Sequence, residues 1–598
     1  MRQKLSVSPL LWNPRFVGSG CREETFHRRT RPKRKCPSRR ARSLFSSFSL
    51  GDDFRNVLLK VDLTVVAAPQ TTMSEFSQLL DELDGDAADD PPPSSAATLL
   101  AKLRRRLIDG PPDPSRLVDA LAAFLRAADP RWLFEPADGA AALEAAYASA
   151  VGALTALPPS EPARGGPPAA DVHAHVPDAA ARVCAALRGL LGKAEAAGPD
   201  GGARGVLMAV APHVCVYVAT HAQDQPWTSR ASREAARRLG TALLAAGGWR
   251  DAAHMLTGER DAVGGGLLEA VLDVLRPGLS GEASQRDDRA EAAFAWTLFQ
   301  VPRPCLAPHL PRLLGPALLL SDHHEPRKCM LGLRCLHHIV DNTASSELRA
   351  LKRADVMYDA LLRLAYGAKS ADVMQLVLRC LLDLLAVLES PTSSVPAPRR
   401  ARRHDDVLRL ILTRMEAEHE AALRRVYAGA LPAYLERMGA HACRHLRRLG
   451  RVVPAYLEVS DAPEEVARIC ALRALERILE AAWPRLAASV SVWLPSLLRL
   501  LADATSEPRP RRDAAHELRR RAARCAALLV AAAGGERLRV SVRVQNCKCL
   551  ACVTTHDVTM CVRLTLHVFH HTKVRAQLLF FLTQVVCAHL YHDTTICF

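Results

Sequence analysis

Four residues, Leu333-Arg334-Cys335-Leu336, return as Leu378-Arg379-Cys380-Leu381 after 45 residues and as Leu472-Arg473-Ala474-Leu475 after a further 94. A longer frame travels with the last copy. Ser321-Asp322 falls on Ser460-Asp461, Leu333-Arg334 on Leu472-Arg473 and Ile339 on Ile478, all at one offset of 139 residues. Around the first copy the chain reads as a helix pair. An apolar helix over Leu310 to Leu320, bent at Pro316, stops at Ser321 and Asp322. A turn carrying Pro326 leads into a second helix over Arg327 to Asp341, with Met330, Leu333, Leu336, Ile339 and Val340 on one face. Gly332 inside that helix costs about 1 kcal/mol against alanine, which predicts close approach of a neighbouring helix. Asn342 ends the helix, and Met357 to Leu364 begin the next. A helix-turn-helix unit recurring at about 40–47 residues is the signature of HEAT or armadillo arrays, so the fold class expected is an all-α solenoid.

The same stretch carries a family resemblance. MLGLRCLHHIVDN, preceded by SDHHEPR and followed by RADVMYDAL, resembles the second Tel-interacting protein family, a subunit of the TTT (Tel–Tti–Tti) complex. The likeness is close from about Pro304 to Ser390 and looser, mostly of helical pattern, from Met73 to about Ala533. It implies a helical-repeat fold and a non-enzymatic role without cofactors. The implied partners are the two other TTT subunits, the Tel-type and first Tti-type proteins. Through them and the heat-shock chaperone machinery the chain would reach the phosphatidylinositol-kinase-related kinases, whose folding, stability and assembly it would promote. The expected location is cytoplasmic and nuclear. Residues matching the family pattern are Asp322, His323, Arg327, Gly332, Arg334, Cys335, His337, His338, Asn342, Arg353, Tyr358 and Asp359. Gly332 and Cys335 read as packing residues. The polar members either line a subunit interface or knit adjacent repeats together, and both readings stand.

The rest of the chain divides by composition. Residues 1–72 form a basic leader, with His27-Arg28-Arg29-Thr30-Arg31-Pro32-Lys33-Arg34-Lys35 followed by Ser38-Arg39-Arg40-Ala41-Arg42. It reads as a nuclear localisation signal, as an organelle transit peptide, or as upstream sequence not native to the protein. Met73-Ser74-Glu75-Phe76 opens a different composition, an acidic amphipathic helix (Phe76, Leu79, Leu80, Leu83) leading into DGDAADDPPPSS. Residues 73–177 are read as an N-terminal helical region ending in a Pro/Gly/Ala linker, residues 178–303 as irregular helical repeats, and 304–533 as regular repeats. Further helices are expected over 178–193, 204–221, 229–246, 266–276, 288–300, 356–367, 371–388, 404–417, 419–438, 441–457, 463–482, 488–503 and 510–533. Pro391 to Arg403 is expected to loop outside the stack. After Gly534 the pattern changes to Val, Thr, Cys, His and Phe, which suggests a separate small element or a tail not native to the protein.

Charge excludes one function class for the repeats. The formal charge of +16 sits largely in the ends: residues 1–62 carry a surplus of +10 and residues 535–598 of +4, leaving +2 for the body. A near-neutral body does not neutralise phosphates on the scale duplex binding demands. No uninterrupted apolar run reaches the ~18–20 residues needed to span a bilayer; Val206 to Thr220 comes nearest, broken by Pro212 and His213.

Catalytic and metal chemistry find little support. Cys547, Cys549 and Cys552, with His556 and Cys561, are the most zinc-like cluster, but only Cys549-x-x-Cys552 has knuckle spacing, and the cysteines read as incidental. The nine cysteines from 184 to 525 are scattered singly on apolar faces, as buried reduced thiols of an intracellular protein would be. His324 and His337 lie 13 residues apart, about 20 Å along a helix, and His337 and His338 diverge by about 100° around it. No Walker loop, nucleophile elbow or dinucleotide fingerprint occurs, and Gly264-Gly265-Gly266 reads as a turn before a helix. A solenoid without a catalytic constellation works by presenting surface. The runner-up reading is a nuclear-transport or chromatin-associated adaptor of the same fold.

Overall fold

The computed structural model describes residues 95–532 except 110–113, 157–174, 199–201, 259–265, 281–286, 390–401, 483–484, 486–489 and 507–511. The basic leader, the acidic helix after Met73, most of the 158–177 linker, the loop after Pro391 and the tail with Cys547, Cys549, Cys552 and His556 lie outside the described residues. The chain divides into two units, residues 1–67 and 68–598, and every described residue belongs to the second.

Among the described residues all regular structure is helical. The first helices are α1 (Ala96–Asp109), α2 (Pro114–Ala127), α3 (Pro130–Leu133), α4 (Ala140–Thr155), α5 (Val176–Ala197), α6 (Gly202–His221) and α7 (Arg230–Gly247). There follow α8 (Ala252–Thr257), α9 (Leu268–Leu279), α10 (Asp288–Gln300), α11 (Leu310–Ser321), α12 (Pro326–Asn342), α13 (Ser345–Arg349) and α14 (Arg353–Gly367). The last are α15 (Ala371–Leu388), α16 (Arg403–Ala417), α17 (Ala421–Met438), α18 (Leu446–Glu458), α19 (Val466–Ala482), α20 (Val490–Ser506) and α21 (Arg512–Ala532). Short 3-10 turns precede α11, α14 and α18. The one-turn helix α13 is not signalled by apolar periodicity, because five residues are too few to show a helical stripe.

These helices stack in two layers. One continuous row runs α1, α4, α6, α10, α12, α15, α17, α19, α21, each packed on the next. A second layer lies against it, with α9 on α10, α11 on α12, α14 on α15, α16 on α17, α18 on α19 and α20 on α21. From α12 onward the first-row helices begin at residues 326, 371, 421, 466 and 512, a nearly constant step. This is the HEAT-type solenoid that the recurrences predict.

α12 shows how sequence makes each element. Pro326 occupies its first turn, where a missing N–H costs nothing. Cys329, Gly332, Leu333, Leu336, Ile339 and Val340 are buried, whereas Arg327, Arg334 and Asp341, seven residues apart, face solvent. Met330, expected on the core face, is half-buried at its margin. Each fully buried leucine contributes about 2 kcal/mol from area alone. α6 is the one described helix long and apolar enough, by length and composition, to cross a membrane, yet 61% of its most apolar window is buried against neighbouring helices. Its composition is what packing by α4, α5, α7, α9 and α10 requires.

Candidate functional site

The α11–α12 hairpin closes on a glycine. A Cβ at Gly332 would lie 2.6 Å from Cα of Ser321 and closer still to that residue's amide nitrogen and to the carbonyl carbon of Leu320. Backbone therefore touches backbone, and the predicted close approach is realised. Cys329 Sγ donates to the Ser321 carbonyl across the same contact at 3.1 Å. At the 139-residue offset Gly332 becomes Ala471, which is fully buried. Cys335 and its repeat counterpart Cys380 are fully buried, and desolvation pushes both thiols well up. Cys184, Cys215, Cys329 and Cys525 are buried too, while Cys305, Cys443 and Cys470 are half-buried, and all nine are unpaired thiols.

The polar residues of the family pattern separate into two sets. His337 Nε2 sits 3.0 Å from Asp383 Oδ2 on α15, and its Nδ1 lies 3.5 Å from Asp341. Asp383 is also 3.5 Å from Arg437 on α17. The hydrogen bond with His337 holds the Asp383 carboxyl below its usual range against the opposing effect of burial, and the charges of His337, Arg437 and Arg379 add to it. Three successive first-row helices are thus joined by one polar chain. His338 points the other way: its Nε2 meets the Val301 carbonyl at 3.0 Å, its ring packs edge-on to Phe299, and burial lowers its pKa. Asn342 Nδ2 donates back to the His338 carbonyl at 3.1 Å. Tyr358 is buried under the Arg403 guanidinium, 5.0 Å from its ring centre, and burial raises its phenol to about 12. Arg403 in turn pairs with Asp355. His337, His338 and Tyr358 thus meet neighbouring helices, and Asn342 braces His338 from within α12.

The second set faces out. Asp322, Arg327, Arg334 and Asp359 are exposed, and His323 and Arg353 half-buried. His323 Nδ1 accepts from the Glu325 amide at 3.0 Å and stacks on His324, while Arg353 donates to the Glu347 carbonyl at 3.3 Å. No single point gathers the pattern residues, as a catalytic centre would. His337, Asp341 and Asp383 bring three metal-type ligand atoms within 4.8 Å of one another. His337 already meets Asp383 at hydrogen-bonding distance and turns its other nitrogen toward Asp341, so the three side chains form a clamp.

The partners Asp383, Arg437 and Arg403 escaped sequence reasoning because each lies on another helix, and Asp355, on α14 with Tyr358, because it meets Arg403 only across the seam to α16. One signal was available. The 45-residue period sets Asp383 at the position His338 holds one repeat earlier, beside His337. The exposed Leu351, 83% accessible, and Val356, 50%, went unnoticed as well. Leu351 and Lys352 both hold left-handed backbone (φ 53° and 57°) at the turn into α14.

Fold and site together define a HEAT-type helical-repeat protein whose patterned polar residues serve either inter-repeat cohesion or an exterior face. No protein-family model matches the chain. It is 39% identical over 356 residues to TELO2-interacting protein 2 of Homo sapiens, covering 58% of this chain and 69% of that protein. It is 39% identical over 347 residues to the Mus musculus protein of the same name, covering 57% and 67%. The chain belongs to the TELO2-interacting protein 2 family. Among solved structures it is similar to the karyopherin Kap121p bound to RanGTP, with 15% identity, TM-score 0.38, and coverage of 81% of this chain and 47% of that one. An engineered protein matches with 14% identity, TM-score 0.34, and coverage of 76% and 98%. The relatives' name describes an interacting protein rather than an enzyme.

Proposed function

We propose that the chain is a non-catalytic scaffold subunit that binds a TELO2-type protein within a TTT-type complex. The observation that supports this most is the 39% identity to a human protein named for that interaction, over 69% of its length. The solenoid suits the role: stacked helix pairs offer a long surface, and the exposed residues of the family pattern do not converge on a pocket. With a first Tti-type subunit and the heat-shock chaperone machinery, the complex would promote folding, stability and assembly of phosphatidylinositol-kinase-related kinases, in the cytoplasm and nucleus. Affinity purification of the full-length chain followed by mass spectrometry tests the core of the reading. TELO2 is expected among the retained proteins, and its absence overturns the proposal. Acute depletion tests the rest. A subunit stabilised by its partner falls with it by mass action, so TELO2 and the kinases should decline with their messenger RNAs unchanged.

A further inference from the structure

The recurring word Leu-Arg-x-Leu does two jobs, and the fold accounts for only one. Its leucines and its Cys or Ala are buried in all three copies. Its arginine is exposed in all three: Arg334 on α12, Arg379 on α15 and Arg473 on α19. Because the flanking residues are buried in the same register, the three arginines emerge on the same side of their helices. α12 packs on α15, α15 on α17 and α17 on α19, so they form a line across one row. On α17 the corresponding place, between buried Ala428 and Leu431, is the exposed Gly429, which leaves a gap rather than an opposing charge.

None of the three guanidinium groups makes a hydrogen bond or ion pair among the described residues, although Asp383, a turn away, feels the charge of Arg379. Neighbouring arginines behave differently. Arg425 pairs with Asp461, Arg437 with Asp383, Arg448 with Glu416 and Arg521 with Glu476. Other exposed arginines, such as Arg363 and Arg447, are unpaired too, so what marks these three is that the repeat places them in line.

We propose that Arg334, Arg379 and Arg473 form a docking line for an extended acidic segment of the protein partner. Helices in a packed row lie ~8–10 Å apart. An extended chain in the polyproline II conformation rises ~3.1 Å per residue and brings every third side chain back to the same side. One carboxylate every third residue therefore matches Arg334 and Arg379, and one six residues on matches Arg473 beyond the Gly429 gap. The proposal rests on the reading that the chain binds a TELO2-type protein and assigns the charge chemistry of that contact.

The test uses the full-length chain with TELO2 and with a synthetic peptide carrying glutamate at every third position. The variant is R334E/R379E/R473E, and the control of equal charge change is R104E/R131E/R188E, all exposed positions on α1, α3 and α5. Circular dichroism should show both variants as helical as the wild type. The triple variant is expected to lose on the order of tenfold or more in affinity for TELO2 and for the peptide, with a flatter salt dependence, while the control keeps both. Wild-type binding of TELO2 that the triple variant and salt leave unchanged overturns the arginine line and spares the scaffold function. Failure of the wild type to bind TELO2 overturns the scaffold function, and the line with it. Competition by a single-stranded RNA homopolymer against the glutamate peptide would overturn the acidic-peptide assignment.

Discussion

The helices before α11 and those from α11 onward build one continuous row by different means. In the later part the first-row helices begin at an almost constant step, and the same buried frame serves α12, α15 and α19. In the earlier part they begin at residues 96, 140, 202 and 288, with no such step. The regular part carries the polar chain from His337 through Asp383 to Arg437, whose charges satisfy one another. The irregular part encloses His221 with no exposure and no partner for either ring nitrogen, and Arg289 with two nitrogens unpartnered. The regular part buries partnerless atoms as well, among them the Tyr456 hydroxyl and Trp493 Nε1, so what regularity adds is a complement one repeat on, as Asp383 is for His337.

The largest effect expected is from Leu336→Asp. It puts an unpaired charge at a fully buried position and should cost about 3 kcal/mol or more in denaturant unfolding. Hydrogen exchange should show protection lost first around α11 to α15. Equal loss across α4 to α7 would mean the two regions unfold as one unit, and the comparison would fail.

Gly332→Ala drives a methyl into the backbone of Ser321 and should cost about 1–3 kcal/mol. Gly315→Ala, with nothing within 4 Å of the new methyl, should instead stabilise by up to about 1 kcal/mol. Thermal midpoints moving in the same direction for the two would show that the α11–α12 contact is looser than described.

His221 and Asp383 separate the regions by pH. Burial lowers His221 from 6.5 to about 4, and Arg289 adds to the effect. The unfolded chain therefore binds the proton more readily, so stability is full above pH 6.5 and falls as pH drops toward 4. Between pH 7 and 5 the loss is about 2 kcal/mol. His221→Phe, which keeps an aromatic ring against Tyr217, should remove that dependence. An unchanged pH profile would show that His221 has a partner in solution.

Asp383→Asn probes the paired side and should cost about 1–2 kcal/mol near neutrality. Asp383 has a lowered pKa, so its contribution is present above the ordinary 3.8 and is lost as pH falls below it. Wild type and variant should converge in stability in strong acid. A constant gap down to pH 2 would contradict the clamp.

Much of this was legible in the sequence. The apolar stripes placed nearly every long helix within a few residues, because one buried face repeats at 3.6 residues whatever it packs against. The repeat step was legible because a solenoid makes each unit bury the same face. Gly332 announced a close approach because no other benefit offsets a glycine inside a helix. The family followed from MLGLRCLHHIVDN, and with it the expectation of a protein partner.

What the sequence left open, whether the patterned polar residues knit repeats or face a partner, required three dimensions. His337, His338 and Tyr358 turned to neighbouring helices and Asn342 back onto His338 of its own helix, whereas Asp322, Arg327, Arg334 and Asp359 stayed outside. Helical periodicity states which face of one helix is buried. It does not state which residue of another helix, some 45 positions away, stands across the seam. That is decided by the register in which helices stack, a property of many weak apolar contacts at once, and His337 met Asp383 only when the stack was complete.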